Sequence, residues 1–143
     1  MNKVLLDTNI LIYVLDNPNT FKFKIAENLL IDYPMISCQI VSEFINVAKR
    51  KLDLPKIEVL NRCNIILNEL EIISFSKKAL KKSEQLIKKY DFQIFDAIIV
   101  ATALETGCKV LYTEDMQHNL LVDKKLKILN PFIENSSLSY NLA

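Results

Sequence analysis

The chain has 143 residues, half of them hydrophobic, and 18 basic against 17 acidic side chains give a formal charge of +1. Such a length buries about two-thirds of the unfolded surface, enough for one globular domain with a real core, and near-neutrality excludes a polybasic nucleic-acid arm while leaving room for a local basic face. Three scattered cysteines, one histidine and one glycine exclude a disulfide framework, a thiolate or multi-histidine zinc site, two-histidine RNA cleavage and glycine-rich phosphate loops.

In chain order, "KVLLD", ending at Asp7, reads as a short buried strand, and two helices follow in "TNILIYVLD" and "TFKFKIAENLLID", separated by a turn at Asn17–Asn19. A second strand is expected at "PMIS", then a helix in "CQIVSEFINVAKRKLD" that stops before Pro55, which can itself open the next helix, to about Leu70. "EIISF" is a third strand. Ser76 caps a helix to about Tyr90, and Asp91 is the expected cap of a further helix that Gly107 ends. "KVLYTED" gives a fourth strand and "LKIL" a fifth. Strands alternating with helices predict an α/β fold, a short parallel sheet of four to five strands with helices on both faces. Residues 1–134 are expected to form one domain and 135–143 a polar tail. The apolar runs are too short to span a bilayer, and with no signal peptide expected ahead of Asp7 the protein reads as soluble and cytoplasmic, with no membrane partner.

"FDAIIVATALE", residues 95–105, contains one misfit: Asp96 opens an otherwise apolar helix. An unpaired buried carboxylate costs several kcal/mol or takes up a proton, so Asp96 requires a donor, a basic side chain or a cation. Helix capping accounts for an acid in a first turn but not for its apolar surroundings. In parallel sheets ligands bind beyond the carboxyl ends of the strands. Asp7 and Asp115 end the first and fourth strands, and Asp96 opens the helix feeding the fourth. At about 100° per residue, Glu43 falls beside Val47 on the margin of the apolar face formed by Ile40, Val41, Phe44, Val47 and Ala48. Four carboxylates drawn together repel one another. A divalent cation removes the conflict, and oxygen ligands without thiolate or imidazole suit Mg²⁺ or Mn²⁺, one ion or two. On this reading a metal is the partner of Asp96, and the helix dipole helps keep it ionised.

The segments "LLDTNILIYVLD", "SCQIVSEF", "FDAIIVATALETGCKVLYTEDMQ" and "ILNPF" together resemble the PIN-domain ribonucleases, especially the toxin subunits of VapBC type, in the same order along nearly the whole chain to Phe132. The resemblance implies a PIN-like three-layer fold, metal-binding acids at Asp7, Glu43, Asp96 and Asp115, and supporting polar residues at Thr8, Asn9 and Thr113. It also implies an RNA substrate, an inhibitory VapB-type antitoxin and a homodimer. Glu114 is an adjacent acid that could substitute for Asp115. Asn119 departs from the pattern, since relatives often carry glycine there.

Metal-assisted hydrolysis needs no 2′-hydroxyl, so the acids by themselves do not separate RNA from DNA. Arg50, two helical turns after Glu43, can touch a phosphate near the site or form a surface ion pair. Lys77, Lys78, Lys81, Lys82, Lys88 and Lys89 share one side of their helix, as a solvated amphipathic face or as a phosphate track. The helices after Asp7 carry more apolar surface than one buried face needs, part of it available as a groove or dimer face. Rival readings are a phosphoacceptor module, disfavoured because Asp53 lies in a helical stretch, a non-catalytic PIN-like binding protein, disfavoured by the four acids, and an RNA-processing nuclease without a toxin role.

Overall fold

The computed structural model describes residues 3–133. Its strands are β1 (Val4–Leu6), β2 (Met35–Ser37), β3 (Glu71–Ile73), β4 (Val110–Tyr112), β5 (Leu121–Val122) and β6 (Leu126–Leu129). Its helices are α1 (Thr8–Tyr13), α2 (Phe21–Leu29), α3 (Cys38–Leu52), α4 (Lys56–Leu67), α5 (Lys77–Tyr90) and α6 (Ile94–Glu105). The five expected strands are present, and β5 is a sixth that the two-residue stretch Leu121–Val122 gave no periodic signal for. The polar tail expected from residue 135 lies outside the described residues.

Local chemistry starts and stops these elements largely as the residues dictate. Asp7, Thr20, Ser37 and Ser76 cap α1, α2, α3 and α5 by accepting backbone N–H groups. The start of α6 is different. Its cap position is Gln93, with no side-chain hydrogen bond, and Asp91 instead terminates α5 in the left-handed conformation (φ 60°). With one glycine in the chain, left-handed positions fall on Tyr33, Asp53, Asp91, Asn119, Asp123 and Lys124 as well as Gly107. Asp and Asn tolerate this region better than other side chains because their short polar groups bond locally.

The sheet order is β3-β2-β1-β4-β6-β5, parallel throughout except for the β5–β6 hairpin. From β1 the chain steps outward to β2 and then β3, and α5 and α6 carry it back across to β4. Parallel crossovers are right-handed almost without exception, so this reversal puts α1–α4 on one face and α5–α6 on the other. The packing agrees: α1 contacts α2 and α3, α3 contacts α4, and α5 pairs with α6. The result is the three-layer α/β arrangement. Strand order reverses between β1 and β4, and their carboxyl ends flank the crevice where such sheets bind ligands.

The core fills both interfaces of the sheet. Leu5, Leu6, Ile36, Leu111 and Ile128 from the strands are fully buried, as are Ile10, Leu11, Ile40 and Phe44 from one layer and Val100 and Ala103 from α6. An almost uniformly apolar sequence suits α6, which buries residues on several sides. Among the described residues no helix is long and apolar enough to cross a membrane.

Phe44 has no exposed surface and is among the largest fully buried side chains. Phe44→Ala is therefore expected to destabilise the protein by about 3–5 kcal/mol, measured as a lower urea midpoint at unchanged m-value.

Candidate active site

Asp7 follows β1 directly and begins α1, so its backbone is fixed by both. Its side chain is 5 % exposed. One oxygen accepts the Thr8 N–H at 2.7 Å and the other accepts the Thr113 hydroxyl at 2.7 Å. The Thr8 hydroxyl in turn donates to Glu43 at 2.6 Å, across to α3. Asn9 reaches the other way: its amide N donates to Asp115 at 2.8 Å, and its amide oxygen accepts the Glu114 N–H at 3.3 Å. Asp115 N–H donates to the Thr113 hydroxyl at 3.1 Å. Each of Thr8, Asn9 and Thr113 thus holds a different carboxylate.

Asp96 lies in the first turn of α6, half-buried, and its carboxylate has no hydrogen-bond partner among the described residues. Burial pushes its pKa upward, and the negative charges of Asp115 and Glu43 push it further. The net direction is upward despite its place in the first turn of α6. Asp7 behaves similarly. Burial drives its pKa up from 3.8 to about 6, against the hydrogen bonds from Thr113 and the Thr8 N–H, and the charges of Asp96 and Asp115 add to the rise.

Asp7, Glu43, Asp96 and Asp115 therefore gather at one crevice, where Asp7 feels the charges of Asp96 and Asp115, and Asp96 those of Asp115 and Glu43. They stand around it rather than in a single closed shell: among the described residues no three acid, histidine or cysteine side chains are already grouped as a metal cage. An open, all-oxygen donor set suits a hard cation that keeps most of its water and takes only one or two carboxylates directly. None of the four acids has an ion-pair partner among the described residues.

Glu114 is turned away from this set. It accepts a hydrogen bond from the Tyr13 hydroxyl at 2.6 Å and pairs with Lys22 of α2, which also donates to the Tyr13 hydroxyl at 3.0 Å. Burial raises the Glu114 pKa, but the bonds from Lys22 and Tyr13 outweigh it and the net direction is down. Tyr13 is accordingly a wall of the 113–115 loop rather than part of a free apolar groove. Sequence reasoning missed Lys22, for which nothing local gives a signal. It also missed Gln39, which donates to Glu43 at 3.2 Å and whose i, i+4 spacing does give one.

Other expected participants sit apart. Arg50 is exposed in the last turn of α3 and has no ion-pair partner among the described residues. Lys82 and Lys89 converge on Asp123 at 2.7 and 3.2 Å, so part of the α5 lysine face is committed to holding the β5–β6 turn. His118 accepts the Asn130 N–H at 2.9 Å, a structural use. Most apolar residues after Asp7 are core, though Phe21 is exposed, and further exposed apolar side chains include Ile57, Leu60 and Ile65 on α4 and Ile94 and Phe95 at the start of α6.

Fold and site define an α/β domain with an acidic crevice at its topological switch point. The family model of the PIN domain matches residues 4–121, and the chain belongs to that family. Among solved structures, a toxin–antitoxin complex from Klebsiella pneumoniae is 26% identical with a TM-score of 0.69, covering 91% of this chain and 98% of that one. A DNA-bound VapBC from Salmonella typhimurium is 23% identical with a TM-score of 0.64, covering 90% and 97%. A sarcin–ricin-loop-cleaving VapC toxin from Mycobacterium tuberculosis is 13% identical with a TM-score of 0.61, covering 79% and 92%. No curated protein matches. With these structures the chain shares the PIN-domain fold.

The Asp7 shift has a stability consequence. Its folded pKa of about 6 lies above the unfolded 3.8, so its stabilising contribution is full below the lower value and is lost as pH rises through the upper one. In chelator, Asp7→Asn, which keeps a good helix cap, is expected to gain stability relative to the wild type by on the order of 2 kcal/mol between pH 4.5 and 7. Parallel denaturation curves for the two proteins check it, and a constant difference would rule it out.

Proposed function

We propose that this protein is a divalent-cation-dependent endoribonuclease that serves as the toxin of a toxin–antitoxin pair. The observation that supports this most is the set Asp7, Glu43, Asp96 and Asp115, placed around one crevice by four different elements with no basic side chain paired to any of them. Mg²⁺ or Mn²⁺ bound there supplies a water made nucleophilic near neutral pH and positive charge to offset the leaving oxygen.

The remaining work belongs to the chain's own residues. Asp7, Glu43, Asp96 and Asp115 would hold the cation between them. Thr113 and the Thr8 N–H lock Asp7, the Thr8 hydroxyl locks Glu43, and Asn9 locks Asp115, so the carboxylates meet the substrate in set directions. Arg50, uncommitted at the end of α3, draws a flanking phosphate. RNA as substrate rests on the family resemblance and on the sarcin–ricin loop named for the Mycobacterium neighbour. Several neighbours are complexes with their antitoxins, which supports a cognate antitoxin here, with a homodimer as the assembly that it binds. An RNA-processing role without an antitoxin would use the same site, and a small DNA-binding protein encoded in the adjacent reading frame would separate the two.

Purified protein free of antitoxin should cleave structured RNA with Mg²⁺ or Mn²⁺ and stop on addition of EDTA. Asp96→Asn should reduce the rate by more than the roughly 10–100-fold lost when a residue supporting a metal ligand is removed, and its fold should survive in metal-free buffer. Cleavage that persists in chelator would overturn the metal mechanism, and an unfolded Asp96→Asn would make Asp96 structural.

The crevice also sets how an antitoxin can inhibit. An apolar helix docked on Ile57, Leu60 and Ile65 of α4, with an Arg or Lys reaching the carboxylates, would compete with the metal for the same oxygens. Raising Mg²⁺ should then weaken inhibition. Ile57→Ser with Leu60→Ser should weaken antitoxin binding by about tenfold or more while leaving cleavage by the free enzyme unchanged. Metal-independent inhibition would exclude competition at the crevice.

A further inference from the structure

Lys22 is separated from the acids by long stretches of chain, yet it ends on the residue beside Asp115. Its ammonium pairs with Glu114, donates to the Tyr13 hydroxyl at 3.0 Å, and lies 5.3 Å from the centre of the Phe132 ring. Tyr13 and Phe132 pack edge-to-face with centroids 5.0 Å apart, and the Tyr13 hydroxyl donates to the second Glu114 oxygen at 2.6 Å. Both Glu114 oxygens are therefore taken on the side of α2. The Glu114 backbone, meanwhile, is tied to Asn9, the residue that also holds Asp115. A fifth carboxylate thus sits at the rim of a four-carboxylate crevice, neutralised by one lysine. Among the described residues this is the one ion pair that touches the 113–115 segment.

We propose that Lys22 is a positioning residue that sets the charge of the metal centre: it holds Glu114 out of the crevice and cancels its charge, so that the centre presents four acids rather than five. This rests on the metal-dependent reading above. The balance matters in two opposite directions. More negative charge at the crevice strengthens its hold on a divalent cation and repels the RNA phosphate that must approach the same point, and less charge does the reverse. Lys22 sets the compromise through Glu114 without touching substrate or metal.

This account makes a prediction of sign that a purely packing role does not. Lys22→Met keeps most of the aliphatic stem against Tyr13 and Phe132 but removes the charge, leaving Glu114 uncompensated. Mn²⁺ binding by isothermal titration calorimetry should tighten by about five- to tenfold, the effect of one unit charge on a divalent ion about 6–8 Å away in a water-like medium. KM for a short RNA oligonucleotide should rise by about threefold on the same basis, with a smaller change in kcat. Glu114→Gln removes the opposite charge and should move both quantities the other way. The double variant restores the charge balance and should return Mn²⁺ affinity to within about twofold of the wild type. In 1 M KCl the differences should largely vanish, because the screening length falls to about 3 Å.

If both single variants weaken Mn²⁺ binding, or the double variant is no better than the worse single one, Lys22 is a packing residue and the proposal is wrong. Thermal melts accompany each variant, and should Lys22→Met fail to fold, Lys22→Gln with Glu114→Gln supplies the same comparison of signs. A wild-type protein that binds no Mn²⁺ overturns the metal reading and this inference with it. Normal wild-type binding that ignores both substitutions overturns only the role of Lys22.

Discussion

Burial of carboxylates close to one another is the constraint around which this molecule is arranged. Asp7, at 5 % exposure, is pushed to a pKa of about 6, and Asp96 is pushed upward by burial and by Asp115 and Glu43. A fold gains nothing for its own stability by burying Asp7 and half-burying Asp96 beside further acids where no lysine or arginine answers them. The architecture nevertheless delivers one from the end of β1, one from α3, one from the first turn of α6 and one from the loop after β4. Both helical layers and the sheet contribute, so the crevice is assembled only when all three layers are in register. Cost and placement together mark the crevice as the part of the molecule shaped for something other than folding.

Short-range hydrogen bonds keep that unfavourable cluster ordered. The tripeptide Asp7-Thr8-Asn9 supplies one acid and ties two others, Glu43 and Asp115, and Thr113 closes the ring by donating to Asp7. Neutral donors can orient a carboxylate without cancelling its charge, which leaves the charge available for a cation. Lysine does the opposite, and it is found on Glu114, the one neighbouring acid that points elsewhere. The contrast between hydroxyl or amide partners inside the crevice and an ammonium at its rim separates acids held ready from an acid taken out of use.

Much of this was legible in the residues. Strand-ending aspartates are readable because a parallel sheet has one ligand-binding edge, and Asp96 is readable because a carboxylate breaks an apolar helix. Capping by Ser76 followed from local hydrogen-bond chemistry. What was not legible depended on long-range pairing. Lys22 meets Glu114 only through the packing of α2 beside the β4 loop, and Asp91, the expected cap of α6, closes α5 in left-handed geometry instead. Tyr13 looked apolar by position but spends its hydroxyl on Glu114. The two residues of β5 are too few to carry a period, and their pairing with β6 is visible only once the turn at Asp123 is in place.

That hairpin matters for how the molecule avoids its own kind. A parallel sheet ends in a strand whose unpaired N–H and C=O groups can template another chain. Here β6 is shielded by an antiparallel strand of two residues, and the turn joining them is clasped to α5 through Asp123, Lys82, Lys89 and the Tyr90 hydroxyl. A strand that short offers an incoming chain almost no ladder to extend, and the clasp keeps it from peeling away. The lysines that appear from sequence to be a uniform solvated stripe are thus in part the fastening of a sheet edge, and a change at Asp123 would expose that edge to β-aggregation without disturbing a single residue of the crevice.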